Sequence, residues 1–164
     1  MVSPRSERAR ELAAQVLDPE MPLLTIEELG ILRDATVDDE GRVEVSITPT
    51  YSGCPAFDAI RTDVHDVLAR AGYAEVTVKT VWSPPWTTDW ISEEGSRKLA
   101  AFGTVPPPAR ADAAGGGILV PLTLRCPHCG SPETRELSRF GSTACKALWA
   151  CNRCGEPFDH VKAF

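Results

Sequence analysis

The first apolar pattern in the chain has the spacing of a helix. Ser3-Pro4 is a favourable start, with serine as the N-cap and proline at the first helical position. Apolar residues then recur three and four positions apart at Ala9, Leu12, Ala13, Val16 and Leu17. Because the residue before a proline is disfavoured in a helix, Asp18-Pro19 predicts where this helix ends.

The next pattern changes to the spacing of strands. Residues 29–37 predict a strand, and residues 38–41 (Asp-Asp-Glu-Gly) predict a turn. Val43, Val45 and Ile47 then alternate with polar residues, as in a strand with one buried face. These two strands are expected to form a hairpin.

A second helix and a third strand follow the hairpin. Pro55 suits the first helical position, which would place Cys54 at the N-cap, and Gly72 predicts the helix end. The buried stripe of this helix comprises Phe57, Ile60, Val64, Val67 and Leu68. One face of the third strand comprises Val76, Val78, Thr80 and Trp82. The order predicts an α+β fold of two layers, with helices packed on a sheet of three or more strands.

The rest of the chain predicts a short helix, a linker and a second module. Residues 82–90 contain three of the four tryptophans and two prolines, so no regular element is expected there. Residues 93–102 predict a helix, and the Pro-, Ala- and Gly-rich residues 105–117 predict a linker. The expected domains are therefore residues 1–104 and 118–164.

Composition and charge narrow the classes of function. The 164 residues have a formal charge of −6; residues 118–164 hold six Lys/Arg and four Asp/Glu, which is +2, so the remainder carries −8. An acidic body argues against nucleic-acid binding, which depends on displaced counterions. No apolar run approaches the roughly 20 residues that span a bilayer, and the charged N-terminus is unlike a secretory signal. We therefore expect a cytoplasmic protein with no membrane partner, in which the six cysteines are reduced.

Two CxxC pairs predict a metal site in the second module. Cys126, Cys129, Cys151 and Cys154 are the four ligands, and 21 residues separate the pairs. This spacing is typical of a zinc ribbon, with hairpin strands around residues 135–140 and 147–150 and a closing strand at 158–161. Gly130 and Gly155 directly follow the second cysteine of each pair, where they suit the tight turns, or knuckles, that the CxxC pairs form around a metal. An iron site of the rubredoxin kind uses the same ligands and remains an alternative to structural zinc.

The remaining cysteine and histidines of this module are secondary candidates. Cys145 is either a core thiol or a reactive surface thiol. His128 and His160 are expected to be ordinary surface or packing residues, because four sulfurs already complete a tetrahedral shell.

Cys54 is the stronger functional candidate. At a helix N-cap, free amides and the helix dipole would lower the pKa of its thiol and favour binding of a soft metal. The segment before it offers the hydroxyls of Thr48, Thr50, Tyr51 and Ser52, which are expected to hydrogen-bond to the sulfur or to a bound ligand. The alternative is that Cys54 is simply a small buried residue that begins a helix. A Cys/His catalytic pair is disfavoured, because His65 would lie roughly 16 Å along the same helix.

The turn at Asp18-Pro19-Glu20 offers two carboxylates. They either end the first helix and face solvent, or they face the same site as Cys54. The sequence alone leaves both interpretations open.

Several motifs together resemble known families. Asp18-Pro19-Glu20-Met21-Pro22, Asp34 after Leu29-Gly30-Ile31, and Thr48-Pro49-Thr50-Tyr51-Ser52-Gly53-Cys54-Pro55 resemble the MIP18 (DUF59) family of iron–sulfur assembly proteins. With the ribbon, Trp82-Ser83-Pro84-Pro85-Trp86-Thr87-Thr88-Asp89-Trp90-Ile91 and Phe140-Gly141-Ser142-Thr143-Ala144-Cys145-Lys146-Ala147, the chain resembles the PaaD (PaaJ) family. That family comprises accessory subunits of the phenylacetyl-CoA epoxidase (1,2-phenylacetyl-CoA monooxygenase) system.

The resemblance implies a role in aerobic phenylacetate degradation. It implies a maturation factor that assembles or delivers an iron–sulfur cluster, or iron, to the oxygenase or reductase subunits. The family's hallmark cysteine falls on Cys54 and its acidic turn on Asp18 and Glu20; the hydroxyl of Thr50, close to Cys54 in sequence, is a further candidate. One cysteine per chain leaves ligands to be supplied by a homodimer, a partner or a small thiol, since a cluster needs about four. The alternative is a structural docking subunit without cluster chemistry.

Independent catalysis is not expected. The sequence has no Glu-x-x-His pair for a diiron site and no glycine-rich dinucleotide fingerprint. A non-catalytic accessory protein is therefore the predicted class.

Overall fold

The computed structural model describes residues 3–107 and 124–162. The chain divides into two compact units, Met1–Gly95 and Ser96–Phe164. Within the described residues no helix is long and apolar enough to cross a lipid bilayer.

The first unit is a three-stranded sheet with two helices on it. Its elements are α1 (Pro4–Ala14), β1 (Leu32–Val37), β2 (Val43–Ile47), α2 (Ala56–Arg70) and β3 (Val76–Thr80). The strand order is β1-β2-β3; β1 and β2 form the expected antiparallel hairpin, and β3 lies parallel to β2. The predicted α+β class is confirmed.

Alternating strand residues and one stripe of each helix form the core of this unit. Val43, Val45 and Ile47 are at most 2% exposed, which agrees with the alternation of β2. The helices contribute Ala9, Ala13, Ile60, Val64 and Leu68. Burying each large aliphatic side chain contributes about 1.5–3 kcal/mol to stability.

Three predicted boundaries differ from the structure. α1 starts with Ser3 as N-cap, as expected, but it ends at Ala14 rather than at Asp18. The chain leaves the helix early because Leu17 pairs with Thr25 in a β-bridge, and Leu17 is 48% exposed. β1 begins at Leu32 rather than at 29, and β3 ends at Thr80, so Trp82 lies beyond the strand.

The tryptophan-rich segment is fastened to the turn before β1. Its only regular element in the structure is a 3₁₀ turn at Thr88–Trp90, and Ser83-Pro84 is a cis peptide. The buried Trp86 donates its indole N–H to the carbonyl of Leu29 at 2.8 Å. α3 (Glu93–Ala101) follows, close to the predicted helix.

The second unit contains the predicted ribbon. β4 (Thr134–Ser138), β5 (Lys146–Cys151) and β6 (Pro157–Val161) form an antiparallel sheet in the order β4-β5-β6. Trp149 and Phe158 pack with Leu124 in its core. Val105 forms a parallel bridge to His160.

The predicted domain limits fall near this division. The two units separate at Gly95–Ser96, inside α3, whereas the predicted first domain extends to residue 104. Val105 lies in the predicted linker but pairs with the ribbon. Residues 108–117 of the predicted linker lie outside the described residues.

Candidate functional site

The segment that carries Cys54 leaves the sheet at the end of β2. Thr48 is 1% exposed; its amide donates to the Ile31 carbonyl at 2.9 Å and its hydroxyl to the Val81 carbonyl at 2.9 Å. The Thr48 hydroxyl therefore secures the segment to Val81, the residue after β3, rather than bonding to sulfur. Gly53 has a φ of 88°, which disfavours any side chain there.

Cys54 lies one residue before the N-cap position at which it was expected. The N-cap of α2 is Pro55, so Cys54 is not the N-cap residue. Its carbonyl accepts a hydrogen bond from the Phe57 amide at 3.2 Å, and the Ala56 amide donates to its sulfur. The thiol thus still receives one amide of the first helical turn.

The two carboxylates of the acidic turn, Asp18 and Glu20, lie in different surroundings. Asp18 is 4% exposed, and its Oδ1 accepts from the amides of Glu20 at 2.7 Å and Met21 at 2.8 Å. The Leu24 carbonyl accepts from the Asp18 amide at 3.0 Å and closes the loop. Asp18 therefore shapes the turn, whereas Glu20 is half-buried.

The surroundings of Cys54 oppose its ionisation. Burial raises the pKa of the thiol above its ordinary value, and the negative charges of Glu20 and Asp18 raise it further. The Ala56 amide and the Thr50 hydroxyl act in the opposite direction without cancelling the rise. The expectation of a lowered pKa is wrong, because partial burial and two carboxylates outweigh the helix terminus.

The same charges show that the acidic turn and Cys54 are neighbours. Because the interaction between two charges weakens with distance, the effect of Glu20 and Asp18 on the Cys54 pKa indicates that both carboxylates lie in its vicinity. The structure thus favours the second interpretation of the acidic turn. A thiol, a half-buried carboxylate and a hydroxyl form a donor set suited to iron, because thiolates and carboxylates both ligate it.

The four ribbon cysteines come together as predicted. All four sulfurs lie within 4.8 Å of one another, with Cys126–Cys154 at 3.7 Å and Cys129–Cys151 at 3.6 Å. Zinc–sulfur bonds of about 2.3 Å in a tetrahedron place sulfurs about 3.8 Å apart. The arrangement therefore fits a tetrahedral metal ion.

Backbone amides point at the ribbon sulfurs. The amides of Arg153 and Cys154 lie 3.3 and 3.5 Å from the Cys151 sulfur. The Cys154 amide, and then that of Arg153, lower the pKa of Cys151 to about 6. Gly130 and Gly155 have positive φ angles of 72° and 81°, as the knuckle turns require.

The secondary candidates lie in different surroundings. Cys145 is 6% exposed, with its sulfur 3.0 Å from the Thr143 hydroxyl, which favours the core-thiol alternative. His128 is exposed, and His160 is buried with Nδ1 3.2 Å from the Val105 carbonyl. His65 is exposed beside Asp66.

Sequence reasoning missed the structural role of Asp18. Its side chain accepts amides two and three residues ahead, which is the pattern of an Asx turn. The sequence feature that predicts this turn is Asp-Pro-Glu, in which a short side chain with acceptor oxygens stands directly before a proline. Treating Asp18-Pro19-Glu20 only as a helix end with two carboxylates overlooks the hydrogen bonds that Asp18 accepts from the turn.

Comparison with known proteins agrees with this two-unit organisation. Residues 7–80 match the family model described as iron–sulfur cluster assembly protein, and residues 117–162 match the PaaD zinc beta ribbon domain. The chain is 42% identical over 151 residues to an Escherichia coli K12 protein that carries the name of a "Putative 1,2-phenylacetyl-CoA epoxidase" subunit, covering 92% of this chain and 88% of that protein. The chain belongs to the PaaD family. The resemblance inferred from the sequence motifs is thereby confirmed.

Other relatives of this PaaD-family chain match its N-terminal part. The Fe-S protein maturation auxiliary factor SufT of Staphylococcus aureus is 44% identical over 78 residues, covering 47% of this chain and 88% of that protein. A crystal structure of a DUF59 domain from Bacillus anthracis is 30% identical, with a TM-score of 0.55, and covers 58% of this chain and 91% of that one. These likenesses support an accessory role related to iron–sulfur cluster assembly.

Proposed function

We propose that this chain binds iron or an iron–sulfur cluster transiently at Cys54 and delivers it to the oxygenase or reductase components of a phenylacetyl-CoA epoxidase. The observation that carries the proposal is that the negative charges of Glu20 and Asp18 reach the half-buried Cys54 thiol and raise its pKa. The name of the 42% identical relative supports the choice of enzyme system.

The donor set suits a carrier rather than a permanent holder. Cys54 would supply the thiolate and Glu20 a carboxylate, with the Thr50 hydroxyl donating a hydrogen bond to sulfur. A cluster needs about four ligands. The remaining ligands would come from a second copy of the chain, the client or a small thiol, and so few protein bonds would allow transfer.

The ribbon cysteines would hold a structural zinc ion. Cys126, Cys129, Cys151 and Cys154 fill a tetrahedral shell, which leaves no open position for a substrate. When bound, zinc would stabilise the fold of the ribbon. Iron at one equivalent, without zinc, in aerobically purified protein would overturn this assignment.

Anaerobic reconstitution tests the role of Cys54. Wild-type protein and Cys54→Ala would be incubated with iron and sulfide, and absorbance in the charge-transfer bands and bound iron would be measured after desalting. We expect cluster uptake by wild type and loss in Cys54→Ala. Cys145→Ala, which also removes one thiol, is the matched control, and equal zinc content in all three proteins verifies the ribbon. Equal uptake by Cys54→Ala would remove Cys54 from the mechanism.

A docking subunit without cluster chemistry remains the second candidate. Large exposed aromatic side chains favour it: Trp82 is 61%, Phe140 68% and Phe102 75% exposed. A stable stoichiometric complex with the oxygenase, formed equally well by Cys54→Ala, would support docking. Transient contact that depends on a loaded site would support delivery.

A further inference from the structure

Trp82 differs from Trp86 and Trp90, the other two tryptophans of segment 82–90, because it is exposed to solvent. Trp86 is 7% exposed and bonded to the Leu29 carbonyl. Trp90 is half-buried beneath the guanidinium of Arg33, 3.8 Å from the ring centroid, and packs against Gly30. Trp82 is 61% exposed. The segment is therefore fastened at two tryptophans, and the third is directed into solvent.

The sheet topology brings Trp82 to the edge that carries Cys54. β2 and β3 are parallel, so both strands end at the same edge. Pairing continues past β3, because the Val81 amide donates to Ile47 at 2.8 Å and the Thr48 hydroxyl donates to Val81. Trp82 is the next residue on one strand, and the Cys54 segment follows Thr48 on the other.

The charge of the unit indicates the chemistry of a partner. Residues 1–95 contain 18 Asp/Glu and eight Lys/Arg, a formal charge of −10. Glu20 and Asp18 lie beside Cys54, and Asp58 is in the first turn of α2. An exposed indole on a unit rich in carboxylates is complementary to an apolar pocket rimmed by Lys or Arg.

We propose that Trp82 is the docking anchor for the client protein that receives iron or cluster from Cys54. This inference rests on the proposed function. The client would present a cationic rim around an apolar pocket, so that the indole is buried while the client's acceptor ligands face the sheet edge. Trp82 would contribute to recognition and not to metal binding.

Direct binding measurements test the anchor. The purified oxygenase and reductase components of the epoxidase would be titrated with wild-type protein, Trp82→Ala and Phe140→Ala, each first reconstituted anaerobically with iron and sulfide. Phe140 is a matched exposed aromatic in the ribbon unit. We expect Trp82→Ala to weaken binding to one component about thirtyfold, the magnitude of a hot-spot residue, with little change for Phe140→Ala. Binding should also weaken as salt is raised.

Each outcome is decisive for the anchor. No binding by wild type, equal affinity of Trp82→Ala, or an equal loss in Phe140→Ala would overturn it. A change in self-association, seen by sedimentation, without a change in client affinity would assign Trp82 to contact with a second copy and also overturn it. Cluster uptake by isolated Trp82→Ala should equal that of wild type. Loss of uptake in Cys54→Ala is a separate readout, so failure of the anchor and failure of the carrier role are distinguishable.

Discussion

At the scale of single residues, the ionisation of the Cys54 thiol depends on the groups around it. Burial, and then the negative charges of Glu20 and Asp18, raise the pKa of the Cys54 thiol, so the reactive thiolate is a smaller fraction at a given pH than in a free cysteine. An incoming cation would offset the two carboxylates and favour the thiolate. The acidic turn thus disfavours ionisation of the metal-free thiol, and in the proposed carrier role it would also attract iron.

The raised pKa predicts how Cys54 responds to pH in the metal-free site. Alkylation should be slow at pH 7 and accelerate in alkaline solution. Glu20→Gln removes a charge that raises the pKa, so its alkylation at pH 8 should be severalfold faster. Thr50→Val removes a hydrogen bond that lowers the pKa and should be slower. Peptide mass spectrometry after timed iodoacetamide treatment measures both, and an unchanged rate in Glu20→Gln would contradict the arrangement.

Asp18 and Glu20 should respond differently to substitution. Asp18→Asn keeps an oxygen that accepts the Glu20 and Met21 amides, so the turn and iron uptake should be largely retained. Asp18→Ala removes the side-chain acceptor of the Glu20 amide and leaves the Met21 amide only the Asp18 carbonyl at 3.2 Å, which should cost about 1–3 kcal/mol of unfolding free energy and reduce uptake. Urea unfolding and bound iron after reconstitution measure the two effects. A stable Asp18→Asn that takes up as little iron as Asp18→Ala would show that the Asp18 charge itself is needed.

At the scale of elements, the tryptophan-rich segment depends on close contact with the turn before β1. A Cβ on Gly30 would lie 2.5 Å from the Trp90 Cβ and 2.7 Å from the Trp90 carbonyl oxygen. This glycine also has a positive φ of 69°. The turn, the arginine–tryptophan stack and the Trp86 hydrogen bond therefore hold the segment in one position.

Two glycine substitutions separate backbone strain from crowding. Gly72 has a positive φ of 93° but open space where a Cβ would lie, so Gly72→Ala should cost only about 1–2 kcal/mol. Gly30→Ala adds overlap with Trp90 and should cost about 3 kcal/mol or more. Urea unfolding followed by circular dichroism gives both values. Equal costs would mean that the contact with Trp90 relaxes freely.

At the scale of the whole molecule, the two units differ in what stabilises them. The first unit has a core of aliphatic side chains from helices and sheet. The ribbon core is small and includes two of its own candidate ligands, Cys126 and Cys151. Structural zinc supplies about 10 kcal/mol or more of folding free energy in comparable modules. The ribbon should therefore depend on metal, and the first unit should not.

Removal of metal tests this difference. Chelation, or Cys126→Ser, should abolish amide protection in β4–β6 while the protection of β1–β3 and α2 remains. Hydrogen exchange with mass spectrometry resolves the two sets of peptides. Readdition of zinc should restore protection in the chelated wild type only. Persistent protection of the ribbon without metal would show that its core suffices.

Much of this organisation follows from local sequence. Alternation in β2, the stripe of α2 and the two CxxC pairs each report a short-range regularity, so the sheet, the helix and the ribbon are predictable. The family motifs are equally local, so the sequence alone suffices to identify the family. The pairing of β3 with β2 in parallel, by contrast, joins residues about 30 positions apart in sequence and has no local signal.

What the sequence determined by itself was therefore the kind of each α-helix and β-strand, the four ribbon thiols and the candidacy of Cys54. Tertiary structure alone decided the ionisation of Cys54, because that depends on burial and on carboxylates more than 30 residues away. It also decided that Asp18 shapes a turn, that Thr48 bonds to Val81 just after β3 and that Trp82 lies exposed at the edge carrying Cys54. Periodicity encodes which side of an element is apolar, whereas charge, exposure and hydrogen bonding depend on which distant residues the fold brings near.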